Sequence, residues 1–314
     1  MAADEVNQQE SLEAVSESLG CEAPLKAPAW VWKLAWEFFK AVIPVLHAFD
    51  RCRAGDTHLN LSVAWWKAIA GNRRGVSTSD GGLAWDLLPP VSRQIVRYPL
   101  CLLYPRLHHQ NVALRTSYID STCRSEMQRA HARGQRVRLV SVGAGFDTRS
   151  FKMAAPDPLS LASLSSPSDV NLVVWSYELD LPDVVAQKTR VIEQRLLRRR
   201  PHLTPYAPTL IAADLNDPSP FFDILFEEIT KKEGLTRVGE GQGAGSGSAQ
   251  SDVHTIFVCE ALMIYLKAPE VLLRESARLA RSIGSASLCF ADRLPGVSGQ
   301  DRRQEGIITC FTCC

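Results

Sequence analysis

The sequence lacks an excess of charge of either sign. Its 314 residues include 35 Lys and Arg against 34 Asp and Glu, a formal net charge of +1 at pH 7. This balance gives no electrostatic support for binding to nucleic acid or to an anionic membrane. Hydrophobic residues make up 46% of the chain and charged residues 22%, as in globular proteins with an ample core. The composition therefore agrees with a soluble enzyme.

Long uncharged hydrophobic runs are also absent. The most aromatic segment, residues 29–49, carries Lys33, Glu37 and Lys40 at helical spacing, whereas a membrane-spanning helix needs about 20 almost uncharged residues. Its apolar stripe predicts a helix that packs on the domain. A membrane-interface contact or a partner groove formed by its tryptophans stays the alternative. Residues 1–28 begin with a polar, acidic stretch unlike a secretory signal, and we expect a disordered tail.

The nine cysteines lack the spacing of a metal site. Cys310, Cys313 and Cys314 cluster together, but no second pair and no histidine set completes a zinc site. We interpret the cysteines as reduced thiols of a cytoplasmic protein and predict no metal ligand.

What the sequence does contain is an apolar strand that ends in a glycine turn. Residues 137–142 are Val-Arg-Leu-Val-Ser-Val, followed by Gly143, Ala144 and Gly145 and then by Asp147. Glycines at the end of a parallel strand permit a tight turn and a close approach of a ligand to the backbone. The third glycine of a dinucleotide fingerprint is missing. The turn alone is therefore compatible with the adenosyl end of a cofactor and with a turn that holds no ligand.

Three further apolar strands end in acids. Residues 173–177 run into Glu178 and Asp180, residues 210–213 into Asp214 and Leu215, and residues 255–259 into Glu260. In open α/β sheets, ligands bind at the carboxyl ends of the strands, near the point where the strand order reverses. Acids and glycines gathered there describe one crevice for a cationic ligand rich in hydroxyl groups. S-adenosylmethionine fits, because carboxylates can bind its sulfonium, its ammonium and its ribose diol.

Together these motifs resemble those of the leucine carboxyl methyltransferase family. The resemblance covers about residues 59–292 and is strongest in the segments 143–149, 178–182, 214–215 and 259–266. It implies an α/β fold of the Rossmann-like, doubly wound class I methyltransferase type, with extra N-terminal helices. It also implies S-adenosylmethionine as the cofactor.

The resemblance implies one methyltransferase domain over residues 29–314. Residues 29–134 would form a helical cap and residues 135–292 the cofactor-binding core. The Gly- and Ser-rich residues 239–251 would be a flexible insert within that core.

The same resemblance implies roles for individual residues. Arg115 would bind the cofactor carboxylate through its planar fork, and Asp180 would hold the ribose hydroxyls. Asp214 and Leu215 would lie beside the adenine. Glu260 would lie near the methionine ammonium, with a helix cap or a buried pair as its structural alternative.

The glycine turn would receive the middle of the cofactor. Gly143, Ala144 and Gly145 would let the methionyl and sugar portions approach the backbone. Asp147 would either cap the following helix or reach the cofactor ammonium.

The activity implied is methylation of a carboxylate, such as the C-terminal leucine of the type 2A phosphatase catalytic subunit. A C-terminal carboxylate has a pKa near 3.5 and is ionised at neutral pH, so we predict no catalytic base. We expect a monomer that meets the phosphatase as a protein substrate. The alternatives are an O-methyltransferase of the same fold that acts on a small molecule or a modified tRNA base, and a non-catalytic cofactor-binding domain.

The C-terminal segment departs from the family pattern. Members usually continue past the fifth strand, here residues 287–291, with a helix and an antiparallel strand pair. About two dozen residues follow that strand, too few for two strands, a helix and their connections. We therefore expect truncated C-terminal strands and an unpaired sheet edge.

Overall fold

The described part of this computed structural model falls into several segments. They are residues 63–68, 82–88, 106–154, 173–216, 218–233, 252–292 and 307–313, with the single residues 30, 37, 41 and 93. The chain divides into two compact units, Met1–Arg115 and Thr116–Cys314. The predicted tail, most of residues 29–49 and the predicted insert 239–251 lie outside the described residues.

Short helical segments and the start of one longer helix make up the described part of the first unit. Residues 63–68 are helical and bury Ala64 and Trp65. Helix α1 spans Leu83–Leu87. Arg93 lies beside it and donates hydrogen bonds of 2.9 Å to the carbonyl oxygens of Trp85 and Asp86, which satisfies acceptors that a short helix leaves open.

The second unit is a six-stranded sheet with helices. Its strands are β1 (Arg136–Val142), β2 (Val173–Asp180), β3 (Thr209–Ala212), β4 (Val253–Glu260), β5 (Ser285–Asp292) and β6 (Ile307–Cys313). The helices are α2 (Arg106–Ala132, which begins in the first unit), α3 (Arg149–Ala154), α4 (Pro182–Val191), α5 (Pro218–Glu233) and α6 (Pro269–Ile283). A π-helical turn, Ile192–Leu196, extends α4. Among the described residues, no helix has the length and hydrophobicity needed to cross a bilayer.

The strand order is β3-β2-β1-β4-β5-β6. The first five strands are parallel, and the order reverses at β1, which pairs with β2 on one side and β4 on the other. Val142 lies opposite Leu179 of β2 and Cys259 of β4, so the carboxyl ends of these strands are level. The predicted Rossmann-like, doubly wound sheet is confirmed, and its reversal point is the usual ligand-binding position of such sheets.

Helices cover both faces of the sheet, which explains why β1 is buried along nearly all its length. Successive strand residues point to opposite faces, so Leu139 and Val140 of β1 enter different core clusters. One cluster includes Ile119, Cys123 and Met127 of α2 with Met153 of α3. The other includes Phe222, Leu225 and Ile229 of α5 with Leu272 and Leu279 of α6.

Strand β6 covers the outer edge of β5. The two strands are antiparallel, with Asp292 opposite Ile307 and Ala286 opposite Cys313. The structure thus differs from the expectation that this edge of β5 is unpaired. A single strand of seven residues needs no helix before it, whereas the expected strand pair with its helix did not fit the available length.

A buried ion pair joins β1 to the end of α5. The guanidinium of Arg138 binds both carboxylate oxygens of Glu233, with Nε 2.6 Å from Oε1. Both side chains are only 1% exposed. Arg138 also donates to Thr255 Oγ1 at 2.8 Å, and the hydroxyl of Tyr177 donates to Glu233 at 3.0 Å. Burial, and then the Glu233 charge, raises the pKa of Tyr177 well above its ordinary value.

A second buried polar network surrounds His254 of β4. Its Nδ1 lies 2.8 Å from Ser285 Oγ and its Nε2 lies 3.0 Å from Ser287 Oγ. Ser287 in turn donates to Glu126 of α2 at 2.9 Å. His254 is fully buried, and burial, aided by the charge of Arg133, lowers its pKa to about 4.

Candidate active site

The glycine turn after β1 is fixed by the backbone of β2. The N–H groups of Gly143 and Ala144 donate to the carbonyl oxygen of Leu179 at 2.8 and 3.1 Å. Gly143 and Gly145 have φ angles of 64° and 48°, which only glycine adopts without strain. A Cβ added at Gly143 would lie 2.6 Å from Cδ1 of Leu262. Packing of the protein itself therefore accounts for this glycine, in addition to any ligand.

Asp180, at the end of β2, is bound to the same turn. Its Oδ2 accepts a hydrogen bond of 2.6 Å from the Gly145 N–H, and its Oδ1 accepts one of 2.8 Å from the Leu181 N–H. The residue is 8% exposed. A carboxylate has about four acceptor positions, and these two bonds orient the side chain beside the turn.

Asp147 follows the turn, just before α3. Its Oδ1 accepts from the Thr148 N–H at 2.9 Å, and its Oδ2 pairs with Arg149. It thus binds the N–H next to the helix start and also forms an ion pair. Contact with a cofactor ammonium stays a prediction.

Glu260 ends β4 and is held at both carboxylate oxygens. Oε1 accepts from Thr116 Oγ1 of α2 at 3.2 Å, and Oε2 lies 2.7 Å from Arg149 Nη2. The side chain is 9% exposed. The buried pair considered as an alternative for Glu260 is therefore present, and a role near the methionine ammonium stays a prediction. The next residue, Ala261, has a φ of 53°, a left-handed conformation that is rare for alanine.

Arg149 lies at the centre of these acids, although no role was predicted for it from the sequence. Besides Asp147 and Glu260, it binds Asp120 of α2, with Nε 2.7 Å from Oδ1. Burial lowers the pKa of Arg149, but the charges of Asp147, Glu260 and Asp120 outweigh burial and raise it well above the ordinary value. Lys152 also pairs with Asp120; burial lowers the pKa of this lysine despite the pairing.

Lys188 of α4 binds the segment that follows the glycine turn. Its Nζ donates to the carbonyl oxygen of Asp147 at 2.8 Å and lies 2.6 Å from Oε2 of Glu178. Both Lys188 and Glu178 are 2% exposed. Burial raises the pKa of Glu178, and the Lys188 charge counteracts this effect. Glu178 therefore lies within the sheet as the partner of Lys188.

Asp214 and Leu215 lie just beyond β3. Ala213 donates a hydrogen bond of 2.9 Å to the main-chain oxygen of Asp180, so this segment continues beside the end of β2. Asp214 is exposed and its Oδ1 accepts from the Asn216 N–H at 2.9 Å. Leu215 is 8% exposed and belongs to the core. Their position beside an adenine stays a prediction.

Arg115 is partly buried in α2 and is the last residue of the first compact unit. The other predicted site residues belong to the second unit. The contact of Arg115 with a cofactor carboxylate stays a prediction.

The model of the family described as leucine carboxyl methyltransferase matches residues 61–233, which is more than half of the chain. The chain belongs to the leucine carboxyl methyltransferase family. The predicted family is thereby confirmed, and membership supports S-adenosylmethionine-dependent methyl transfer as the general activity. A search of curated proteins finds no match.

The residues at the strand ends of this leucine carboxyl methyltransferase family member suit a cationic cofactor with hydroxyl groups. Around Arg149, three carboxylates stand against two cations, Arg149 and Lys152. Carboxylates are the groups that form charge-assisted hydrogen bonds with a cationic ligand. Asp180 adds a carboxylate, a group that accepts hydrogen bonds from hydroxyl groups, beside the glycine turn. These carboxylates therefore fit S-adenosylmethionine chemically.

Proposed function

We propose that this protein transfers a methyl group from S-adenosylmethionine to a carboxylate, and that this carboxylate belongs to the C-terminal leucine of the type 2A phosphatase catalytic subunit. The observation that carries the cofactor assignment is the 2.6 Å bond from the Gly145 N–H to Asp180. It joins the glycine turn and an acid of the neighbouring strand at the reversal point of the sheet. The carboxylate acceptor is proposed on the basis of the family.

Several residues would hold the cofactor. Asp180 would accept the ribose hydroxyls, and Asp147 and Glu260 would face the ammonium. Asp214 would accept from the adenine amine, with Leu215 against the ring, and Arg115 would bind the carboxylate. Gly143, Ala144 and Gly145 would line the approach with backbone. The cofactor would supply a methyl group activated by a positively charged sulfur.

The protein's part in the reaction is positioning. The acceptor carboxylate is already ionised at neutral pH, so no side chain has to remove a proton from it. The chain has to hold the acceptor oxygen in line with the methyl–sulfur bond and to exclude water. Positioning of this kind lowers reaction barriers by about 7–11 kcal/mol in favourable cases.

Calorimetry with S-adenosylmethionine and S-adenosylhomocysteine tests the cofactor site. Asp180→Asn should weaken binding of both about 10- to 100-fold, because a charge-assisted hydrogen bond contributes about 1.5–3 kcal/mol. Asp183→Asn is the matched control, since Asp183 is exposed in the first turn of α4. Equal affinities of the two variants would contradict the assigned role of Asp180. A wild-type protein that binds neither compound would contradict methyltransferase function.

Transfer of a tritiated methyl group tests the acceptor. The substrates are the intact phosphatase, the phosphatase without its C-terminal leucine, and bulk tRNA. We expect a label on the intact phosphatase only, and it should be released by mild base because it is an ester. Label on the truncated phosphatase or on tRNA would reject the proposed acceptor while leaving the cofactor assignment intact.

A further inference from the structure

One side chain connects three segments at the strand ends. Arg149 is 2% exposed, and each of its three guanidinium nitrogens meets a different carboxylate. Nε lies 2.7 Å from Asp120 Oδ1, Nη2 lies 2.7 Å from Glu260 Oε2, and Nη1 binds Asp147 Oδ2. These acids come from α2, from the end of β4 and from the turn after β1.

These ion pairs fix the directions of the guanidinium N–H groups of Arg149 as well as the distances from its nitrogens to the carboxylate oxygens. A guanidinium is planar and rigid, so its donors have set angles to one another. Asp120 holds the guanidinium by Nε and is itself held by Lys152. The two terminal nitrogens are thereby aimed at Asp147 and Glu260. Thr116 holds the second oxygen of Glu260, so this carboxylate has little freedom left.

The positive charge of Arg149 also acts on Asp147 and Glu260. Two carboxylates brought together disfavour each other's ionised form, whereas a cation between them favours it. Arg149 keeps its proton at every physiological pH, since its pKa is raised above the ordinary value despite burial. The Arg149 charge therefore favours the ionised forms of Asp147 and Glu260.

We propose that Arg149 is the positioning residue of the cofactor site, which holds Asp147 and Glu260 in the orientation and ionised state that receive the cofactor ammonium. This inference rests on the proposed function. Arg149 itself does not touch the cofactor and acts through the two acids.

A second buried arginine offers a matched control. Arg138 is also fully buried and also binds a carboxylate with two nitrogens. It lies near the start of β1, away from the Gly143 end, and its partners are Glu233 and Thr255. A purely structural role for Arg149 would make the two arginines equivalent in their effect on cofactor binding.

The experiment compares Arg149→Lys, Thr116→Val and Arg138→Lys. Folding is checked by urea denaturation, and the affinity for S-adenosylhomocysteine is measured by calorimetry from pH 5 to pH 9. A lysine cannot reach three carboxylates at once, so Arg149→Lys should weaken binding about 10-fold at pH 7. In Arg149→Lys, the pH below which binding of S-adenosylhomocysteine is lost should also be higher than in the wild type. Arg138→Lys should lower the urea midpoint while leaving affinity and pH profile unchanged.

If Arg149→Lys does not fold, Thr116→Val provides the test of the inference. It removes one hydrogen bond to Glu260 without changing charge, and we expect about threefold weaker binding with unchanged pH dependence. An Arg149→Lys protein that folds and binds like wild type would overturn the inference, as would an equal loss of affinity in Arg138→Lys. If Arg149→Lys is unfolded, a Thr116→Val protein with wild-type affinity would overturn the inference. Absence of binding by the wild type would refute the proposed function itself, and the inference with it.

Discussion

At the scale of single residues, Gly143 combines two requirements. Its φ is 64°, and an added Cβ would lie 2.6 Å from the buried side chain of Leu262. Left-handed backbone costs about 1–2 kcal/mol for other residues, and overpacking costs about 1–3 kcal/mol more. We expect Gly143→Ala to lower the free energy of unfolding by about 2–5 kcal/mol in urea denaturation.

Gly134 supplies the comparison for this substitution. Its φ is 72°, but nothing lies within 4 Å of an added Cβ. Gly134→Ala should therefore cost only the backbone strain, about 1–2 kcal/mol. Equal losses in the two variants would show that contact with Leu262 contributes nothing.

His254 makes the stability of the fold depend on pH. Its pKa is about 4 in the folded protein, below the value of about 6.5 for an unfolded chain. Between these values the unfolded state binds more protons, so this contribution to stability is complete above pH 6.5 and is lost as the pH falls towards 4. We expect His254→Gln to reduce the slope of unfolding free energy against pH in this window. Parallel wild-type and variant curves, measured by urea denaturation, would contradict the assignment.

Site residues differ in how far the sequence alone could reveal them. The glycine turn and the acids at Asp180 and Glu260 follow from a local pattern, a strand followed by a small or acidic residue. The role of Arg149 does not, because its partner Glu260 is 111 positions away and local sequence carries no sign of such a contact. An arginine two positions after Asp147, in a chain whose strands end in acids, was the available signal.

At the scale of elements, the ion pair of Arg138 and Glu233 joins a strand to a helix end. Loss of one partner leaves a buried charge without compensation, at a cost of about 3–5 kcal/mol. We expect Glu233→Gln to lose this amount in urea denaturation. The double variant Arg138→Met with Glu233→Gln should lose less than the sum of the single variants.

An exposed pair is the control for this prediction. Arg278 Nε lies 2.6 Å from Glu275 Oε2, with the arginine side chain 58% exposed. Surface pairs contribute about 0–1 kcal/mol, so Glu275→Gln should have a small effect. A loss as large as that of Glu233→Gln would contradict the argument from burial.

Element boundaries were predicted less well than element types. The predicted strand 173–177 extends to Asp180 in the structure, so Glu178 and Asp180 belong to the strand and do not follow it. Pairing of Glu178 with Leu210 and of Asp180 with Ala212 explains the extension. Backbone hydrogen bonds continue a strand past its apolar residues, and the hydrophobic pattern does not show where they stop.

At the scale of the whole molecule, the doubly wound sheet with its parallel strands was predicted from the resemblance of the strand-end motifs to those of the leucine carboxyl methyltransferase family, and the structure has it. The position of β6 was not predicted, because an edge strand is chosen by pairing across the sheet and not by neighbouring sequence. Its role can be tested with Thr309→Pro, since Thr309 lies opposite Phe290. Proline cannot donate to a strand ladder, and we expect the exposed β5 edge to increase aggregation, measured by light scattering. Cofactor affinity of the remaining monomer should be unchanged.

Thr309→Val is the control for the proline variant, because valine favours strands and keeps the N–H group. It should scatter no more light than the wild type. Equal aggregation of the two variants would mean that side-chain chemistry, and not pairing of β6, protects this edge.

The contacts around Arg149 also have a temporal consequence. Asp120 precedes it by 29 positions, whereas Glu260 follows it by 111, and β4, which carries Glu260, has to pair with β1. Translation proceeds at about 5–20 residues per second. Arg149 is therefore synthesised several seconds before Glu260, the last of its three carboxylate partners. Resistance of stalled chains to proteolysis on addition of ligand should therefore begin only once β4 has emerged from the exit tunnel.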